Sequence, residues 1–241
     1  NTPIEQGIGV YYTDLVYGNI DFAILEDRKF KSGPKNKIPQ QGPRPDHIRN
    51  PDYDPKSIDL DGLTLLGKRQ HKFLSEWGKN QKKSIMKAVL SQTGFCGGAH
   101  LHGSEDNRLH ADLDSNGWPQ RGRNQALKLI KKANAVHIAG DQHLATVIHH
   151  GVDEYEDGPW AFLVPAMVNN YYSRWWWPKD GKPGKKSNKV LPWNGRYLDG
   201  FENKITMHAY ANPDSNSNGA GFGVIKFDKP NNIVVLNVPC G

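Results

Sequence analysis

Apolar and polar positions along this chain follow two rhythms, one of strands and one of helices. From Gly9 to Ser32, "GVYYTDLVYGNIDFAILEDRKFKS", two runs rich in Val, Tyr, Ile and Phe flank Tyr17-Gly18-Asn19, a turn signal, and predict a β-hairpin. The second run, Ile20 to Leu25, is nearly all apolar and ends in Glu26-Asp27-Arg28-Lys29. In "LLGKRQHKFLSEWGKNQ", Leu66, Gln70, Phe73, Leu74 and Trp77 fall on one side at helical spacing. "SIMKAVLSQTGF" predicts a short strand. "WPQRGRNQALKLIKKAN" predicts a second helix, with Pro119 suited to its first turn and Ala126, Leu127, Ile130 and Ala133 on one face. The apolar run Ala135 to Ala139 follows directly. After it come "TVIHHG", "WAFLVPAM" and two final strands, "GFGVIKFD" and "NIVVLNVP".

Strand, helix, strand, helix, strand and a strand-rich tail define an α/β class with a mixed sheet. Between these elements lie long excursions at about 32–59, 94–118 and 169–196, the first dense in Pro, Gly, Asn and Asp. A loop as long as 32–59 is expected to be functional or disordered. There is no internal repeat and no linker composition, so residues 1–241 read as part of one domain.

Composition narrows the partners. The 241 residues, 37% apolar with seven tryptophans, suffice for a buried core. A formal charge of +6 favours anionic partners without naming one. Cys96 and Cys240 leave a single pairing open, but show neither a disulfide framework nor a zinc spacing. No apolar run approaches the length of a membrane span. A start at Asn1-Thr2-Pro3, without initiator methionine or signal peptide, leads us to expect a processed or truncated chain.

Candidate chemistry gathers where apolar strands end. One run opens into Glu26-Asp27-Arg28, another into Ser91-Gln92-Thr93-Gly94, a third into Gly140-Asp141-Gln142-His143. Ligands of open α/β sheets sit beyond the carboxyl ends of the strands. Asp141 and His143, two positions apart at a strand end, are expected to point the same way and to converge on metal, with Gly140 easing the turn. Their donors suit Ca, Mn, Fe or Zn. The plainer alternative is a turn stabilised by Asp141 and a loop covered by His143. His149 and His150 read as a solvated pair, as do His100 and His102 in "GAHLHG". "DHIRNPDYD", residues 46–54, has ligand types but lies in a Pro-rich excursion and is not counted. "NNYYSRWWWPKDGKPGKK" admits two readings: stacking on a sugar or base with lysines on phosphate, or tryptophans capping a core edge.

Four segments in order resemble the C-terminal half of the PhoD-like alkaline phosphatases, a branch of the calcineurin-like metallophosphoesterases. "FAILEDRKFK" is similar to the family's strand ending in Asp-x-Arg; Arg28 matches and Glu26 stands in the aspartate's place. "LLGKRQHKFLSEW" resembles its Leu-Gly-x-x-Gln-x-x-Trp-Leu helix through Gly67 and Gln70, with Phe73-Leu74 in the last two places. "DSNGWPQRGRNQALKLI" is similar to its Asp-Gly-Tyr-Pro-x-x-Arg segment, with Asn116 and Trp118 replacing aspartate and tyrosine. "AVHIAGDQH" resembles its Gly-Asp-x-His strand end.

The resemblance implies a metallophosphoesterase-like sandwich, of which this chain forms the C-terminal half. It implies hydrolysis of phosphate mono- or diesters with two metal ions (Ca, Fe, Mn or Zn), Asp141 and His143 serving as ligands and catalytic groups. Arg28 and Asn116 are the implied substrate contacts, a loop-holding salt bridge being the alternative for Arg28. Gln70 and Trp77 are expected to pack the helix. The family's first aspartate ligand, Gly-Asp-x-x-Tyr-like strand end and Asp-Asp-His-like motif are not found in this sequence. Two ligands cannot hold a metal pair, so a missing N-terminal half or a second chain is expected to complete the site. A secreted or periplasmic location is likewise implied. A rival reading from another class is a non-catalytic basic, aromatic module that binds a polyanion or glycan.

Overall fold

A computed structural model describes residues 2–3, 9–80, 86–102, 108–167, 174–178, 192–212 and 220–237. Gly18 and Asn19 form the expected turn. Both have positive φ, 57° and 61°, as a type I′ turn requires. They join β1 (Thr13–Tyr17) to β2 (Ile20–Ile24) with Tyr17 opposite Ile20. Helix α1 (Gly67–Lys79) leads to β3 (Met86–Thr93), and α2 (Gln120–Lys132) leads to β4 (Ala135–Gly140). Parallel neighbours need such crossovers, and β2, β3 and β4 are parallel. Pro119 caps α2 from just outside its first turn.

The sheet is completed by β5 (Ala145–His150), β6 (Trp160–Leu163), β7 (Gly195–Leu198) and β8 (Lys204–Ala211). Its order is β7-β8-β5-β6-β4-β3-β2-β1. β6 runs parallel to β4, whereas β5, β7 and β8 pair antiparallel. This is the mixed α/β sheet expected from the sequence.

One face of the sheet packs on the helices. Ala23, Val89 and Ala135 meet Leu74, Leu127 and Ile130 in a buried cluster. In β4 the alternation is strict: Ala135, His137 and Ala139 are buried, Val136 and Ile138 half-buried. The opposite face is partly covered by a C-terminal hairpin, β9 (Val224–Asp228) with β10 (Ile233–Asn237). Phe227 meets Phe22 edge-on at 6.1 Å. Leu15, Val16 and Tyr17 on edge strand β1 stay exposed, as do Val224, Ile233 and Val235 on the hairpin. Leu15 and Val16 are each more than half exposed, at 51% and 54%.

The 32–59 excursion has a core of its own. Ile38, Ile48 and Ile58 surround Trp118 together with Leu113 and Phe201. His47 and Asp112 pair in a short antiparallel bridge, and the Trp118 indole donates to the Ile58 carbonyl at 2.8 Å. A 3-10 turn, Pro55–Ile58, is capped by the Asp54 carboxylate.

The expectation that His150 is solvated is corrected: it is fully buried. His150 shares the inward phase of Ile148 on β5. Its ring lies 6.0 Å from that of His137, which is also buried and hydrogen-bonded to Ser91 at 2.7 Å. Arg123 lies fully buried nearby, donating to Phe95 O and Gly151 O. Both His150 nitrogens, and Nδ1 of His137, have no hydrogen-bond partner among the described residues. Burial pushes His137 down to about 3. Burial, with Arg123, His137 and His149 adding repulsion, pushes His150 well down too. These histidines are neutral when folded and take up protons once unfolded, so they favour folding above about pH 6.5. That stability is lost as pH falls from there towards the folded values, each histidine costing up to about 1.4 kcal/mol per pH unit. Thermal unfolding between pH 7 and 4 is expected to show this slope, reduced in His150→Phe. An unchanged slope in that variant removes His150 from the account.

Candidate functional site

The parallel strands β2, β3 and β4 deliver their carboxyl ends to one place, and a hydrogen-bonded cluster forms there. Asp27, just past β2, is buried and accepts from the Gln92 and Thr93 amides, each at 3.0 Å, and from Asn116 Nδ2. Asn116, fully buried in the loop before α2, also donates to Thr93 O at 3.1 Å. Thr93 Oγ1 donates to Asp141 Oδ2 at 2.9 Å. Residue 93 therefore links two of the anticipated site residues, Asn116 and Asp141.

The turn after β4 differs from the expected geometry. Asp141 and His143 have φ of 72° and 52°, in the left-handed region, so strand alternation stops at Gly140. A Cβ on Gly140 would meet only ordinary contacts, the nearest atom being Gln92 O at 3.6 Å. The turn is taken by Asp141 and His143, both of types that tolerate this conformation. Both side chains are half-buried.

Arg28 does not stand free over the cluster. It pairs with the Asp114 carboxylate and donates to Asp114 O at 2.9 Å. Burial opposes its charge, but the bond to Asp114 and the nearby carboxylates, Asp141 and Asp27 among them, hold its pKa above the ordinary value. Lys31 grips the same loop, donating to the carbonyls of Leu113, Asp114 and Ser115, each at 2.7 Å. Burial pushes Lys31 down to about 7, with Arg28 adding repulsion. Gln70, fully buried, brackets the Glu26 backbone: it accepts from Glu26 N at 2.9 Å and donates to Glu26 O at 2.7 Å. It packs the helix, as expected, and it also fixes the exit of β2. Glu26 itself turns back to accept from Arg28 N and Lys29 N.

Among the described residues, one group of three His, Cys, Asp or Glu side chains has donor atoms within 4.8 Å of one another: Asp46, His47 and Asp112. Asp141 and His143 belong to no such group. Asp46 and His47 belong to "DHIRNPDYD", a stretch with ligand residue types whose Pro-rich setting argued against counting it. The group's charges are matched by Arg44 on Asp46 at 2.9 Å and Arg174 on Asp112 at 2.8 Å. A cation entering there would share both carboxylates with guanidiniums.

The remaining sequence candidates separate. His100 is not solvated but packs on Trp176, ring centroids 4.7 Å apart. The side chain of His102 lies outside the described residues. Trp176 is fully buried and only Trp177, at 42%, is exposed among the three tryptophans. That arrangement favours core capping over a stacking platform; the lysines from 179 to 189 lie outside the described residues. Cys96 is free and buried, and Cys240 lies outside the described residues. Asp27 and Thr93, which organise the cluster, were not singled out. Their only sequence signal is their place at strand ends.

The fold and site together define an α/β chain whose polar cluster lies beyond the carboxyl ends of its parallel strands. The PhoD-like phosphatase profile matches residues 2–169, and the chain belongs to that family. It is similar to a solved structure titled "Structure of PhoD", with 20% identity, a TM-score of 0.45 and 67% of this chain covered. The match spans 30% of that structure's chain. A search of curated proteins gave no match.

Proposed function

We propose that this chain contributes part of the site of a metal-dependent phosphoesterase acting on phosphate mono- or diesters. The observation that carries the reading is the linked cluster of Asp141, Thr93, Asn116 and Asp27 at the strand ends of a PhoD-like chain.

The residues fit a hard cation. Both N–H groups of Asn116 have acceptors, while its Oδ1 is buried with no partner among the described residues. An oxygen of that kind suits a cation, and the carboxylate of Asp141 and the imidazole of His143 are donor types for Ca, Mn, Fe or Zn. Asp141 and His143 would hold metal. A bound metal pair polarises the phosphoryl oxygen and lowers the pKa of a bound water.

The chain's own groups do the rest. Thr93 fixes the rotamer of Asp141. Asn116 has spent its donors, so it serves as an acceptor and does not donate to an anionic phosphoryl oxygen. Arg28, tied to Asp114, is the guanidinium placed to offset charge on the ester.

The same reading includes a partner. The exposed apolar edge of β1 invites pairing, and among the described residues Asp141 and His143 join no third His, Cys, Asp or Glu ligand. We place the remaining ligands on an N-terminal half or a second chain that covers this edge. Among the described residues no helix is long and apolar enough to cross a membrane. A secreted or periplasmic location is proposed on the family resemblance. The test is release of p-nitrophenol from p-nitrophenyl phosphate and from bis(p-nitrophenyl) phosphate by the full-length gene product. Activity is expected to vanish on chelation and return with added metal.

A further inference from the structure

The side chain that organises the strand-end cluster is one that no motif marks. Asp27 fastens three segments with one carboxylate: it follows β2, holds the Gln92 and Thr93 amides of β3, and binds the side chain of Asn116 before α2. A buried carboxylate with three donors is a satisfied group, so Asp27 needs no further ligand. Its consequence lies in what it does to Asn116. A side-chain amide has two orientations, decided by its surroundings. Here Asp27 Oδ2 and Thr93 O are both acceptors, so the NH2 faces them and Oδ1 is the atom left without a partner among the described residues. Thr93, whose amide Asp27 holds, passes the order on by donating its hydroxyl to Asp141.

We infer that Asp27 is a positioning residue of the proposed site, setting the polarity of the Asn116 amide and the strand end from which Thr93 orients Asp141. The inference rests on the phosphoesterase reading above. Asp27→Asn keeps the shape but leaves one acceptor oxygen for three donors and turns a second NH2 towards Asn116. In the full-length product, kcat for p-nitrophenyl phosphate is expected to fall about 10- to 100-fold, the range typical of groups that support metal ligands. KM should change far less, because the loss is of orientation rather than of substrate binding. The side-chain NH2 signals of Asn116 in 15N–1H spectra are expected to shift and exchange faster with water. Should Asp27→Asn fail to fold, Thr93 serves instead: Thr93→Val is expected to lower kcat about tenfold, and Thr93→Ser to retain it. Full kcat in folded Asp27→Asn, or equal activity of Thr93→Val and wild type, overturns the inference. If the wild type hydrolyses neither p-nitrophenyl phosphate nor bis(p-nitrophenyl) phosphate, the phosphoesterase reading fails instead, and the Asn116 signals alone decide whether Asp27 orients the amide.

Discussion

Asp141→Asn and His143→Asn are each expected to lower phosphate-ester hydrolysis by the full-length protein at least about 100-fold, and to reduce bound metal. The magnitude follows from the neighbouring case: removing a group that only supports a metal ligand already costs about 10- to 100-fold. Asparagine is the right replacement at both positions. Their φ values, 72° and 52°, lie in the left-handed region, which asparagine visits routinely and alanine does not. Loss of activity then reports on the lost carboxylate charge or imidazole rather than on a distorted turn. Far-UV circular dichroism and unfolding midpoints should stay near wild type, because both side chains are half-buried and lie outside the strands. Metal content by mass spectrometry of the dialysed proteins supplies the second readout. Full activity in both variants would return the stretch to the plainer reading, a turn with a covering histidine.

Trp118→Ala is expected to destabilise the fold by about 3–5 kcal/mol, the usual range for emptying a buried aromatic position. Trp118 is fully buried and is the hub around which Ile38, Ile48, Ile58, Leu113 and Phe201 gather. Its indole also satisfies Ile58 O, and its ring lies 5.8 Å from the Lys31 ammonium. Losing it should free the 32–59 excursion first, before the sheet. Urea unfolding measures the total, and protease cleavage within 32–59 reports the local release. Trp118→Phe should cost less, since it keeps much of the packing and strands one carbonyl, worth about 1–3 kcal/mol. Equal stability of Trp118→Ala and wild type would mean that the excursion is held elsewhere.

Much of the sheet is legible in the sequence because its elements carry simple periods. β1 and β2 show through the Gly18-Asn19 turn, β3 and β4 through short apolar runs, and both helices through faces at helical spacing. β7 and β8 are less visible, since they lie beyond a Trp- and Lys-rich stretch in a tail read only as strand-rich. The excursion's core is hidden for a different reason. Ile38, Ile48 and Ile58 are spaced ten apart with Pro, Gly, Asn and Asp between them, so no single strand or helix carries them, and only tertiary packing on Trp118 brings them together.

At the site, Asp141 is visible as a strand-end residue, and Asn116 only through the family resemblance of its segment. Asp27 is not, because the strand-end cluster Glu26-Asp27-Arg28 does not say which member is buried until Asn116 and the β3 amides are placed against it. The burial of His150 was within reach. It follows Ile148 by two positions on β5, and that phase points inward.

The central claim is that the strand-end cluster forms one part of a metal phosphoesterase site that other residues complete. Its most direct measurement is p-nitrophenol release from p-nitrophenyl phosphate and bis(p-nitrophenyl) phosphate by the full-length product, before chelation, after chelation and after return of Ca, Mn, Fe or Zn, beside the same assay on the 241-residue chain alone. The account predicts metal-dependent release by the full-length protein and none by the isolated chain. Release by the isolated chain as a metal-loaded monomer, or release from the full-length protein that survives chelation, would contradict it.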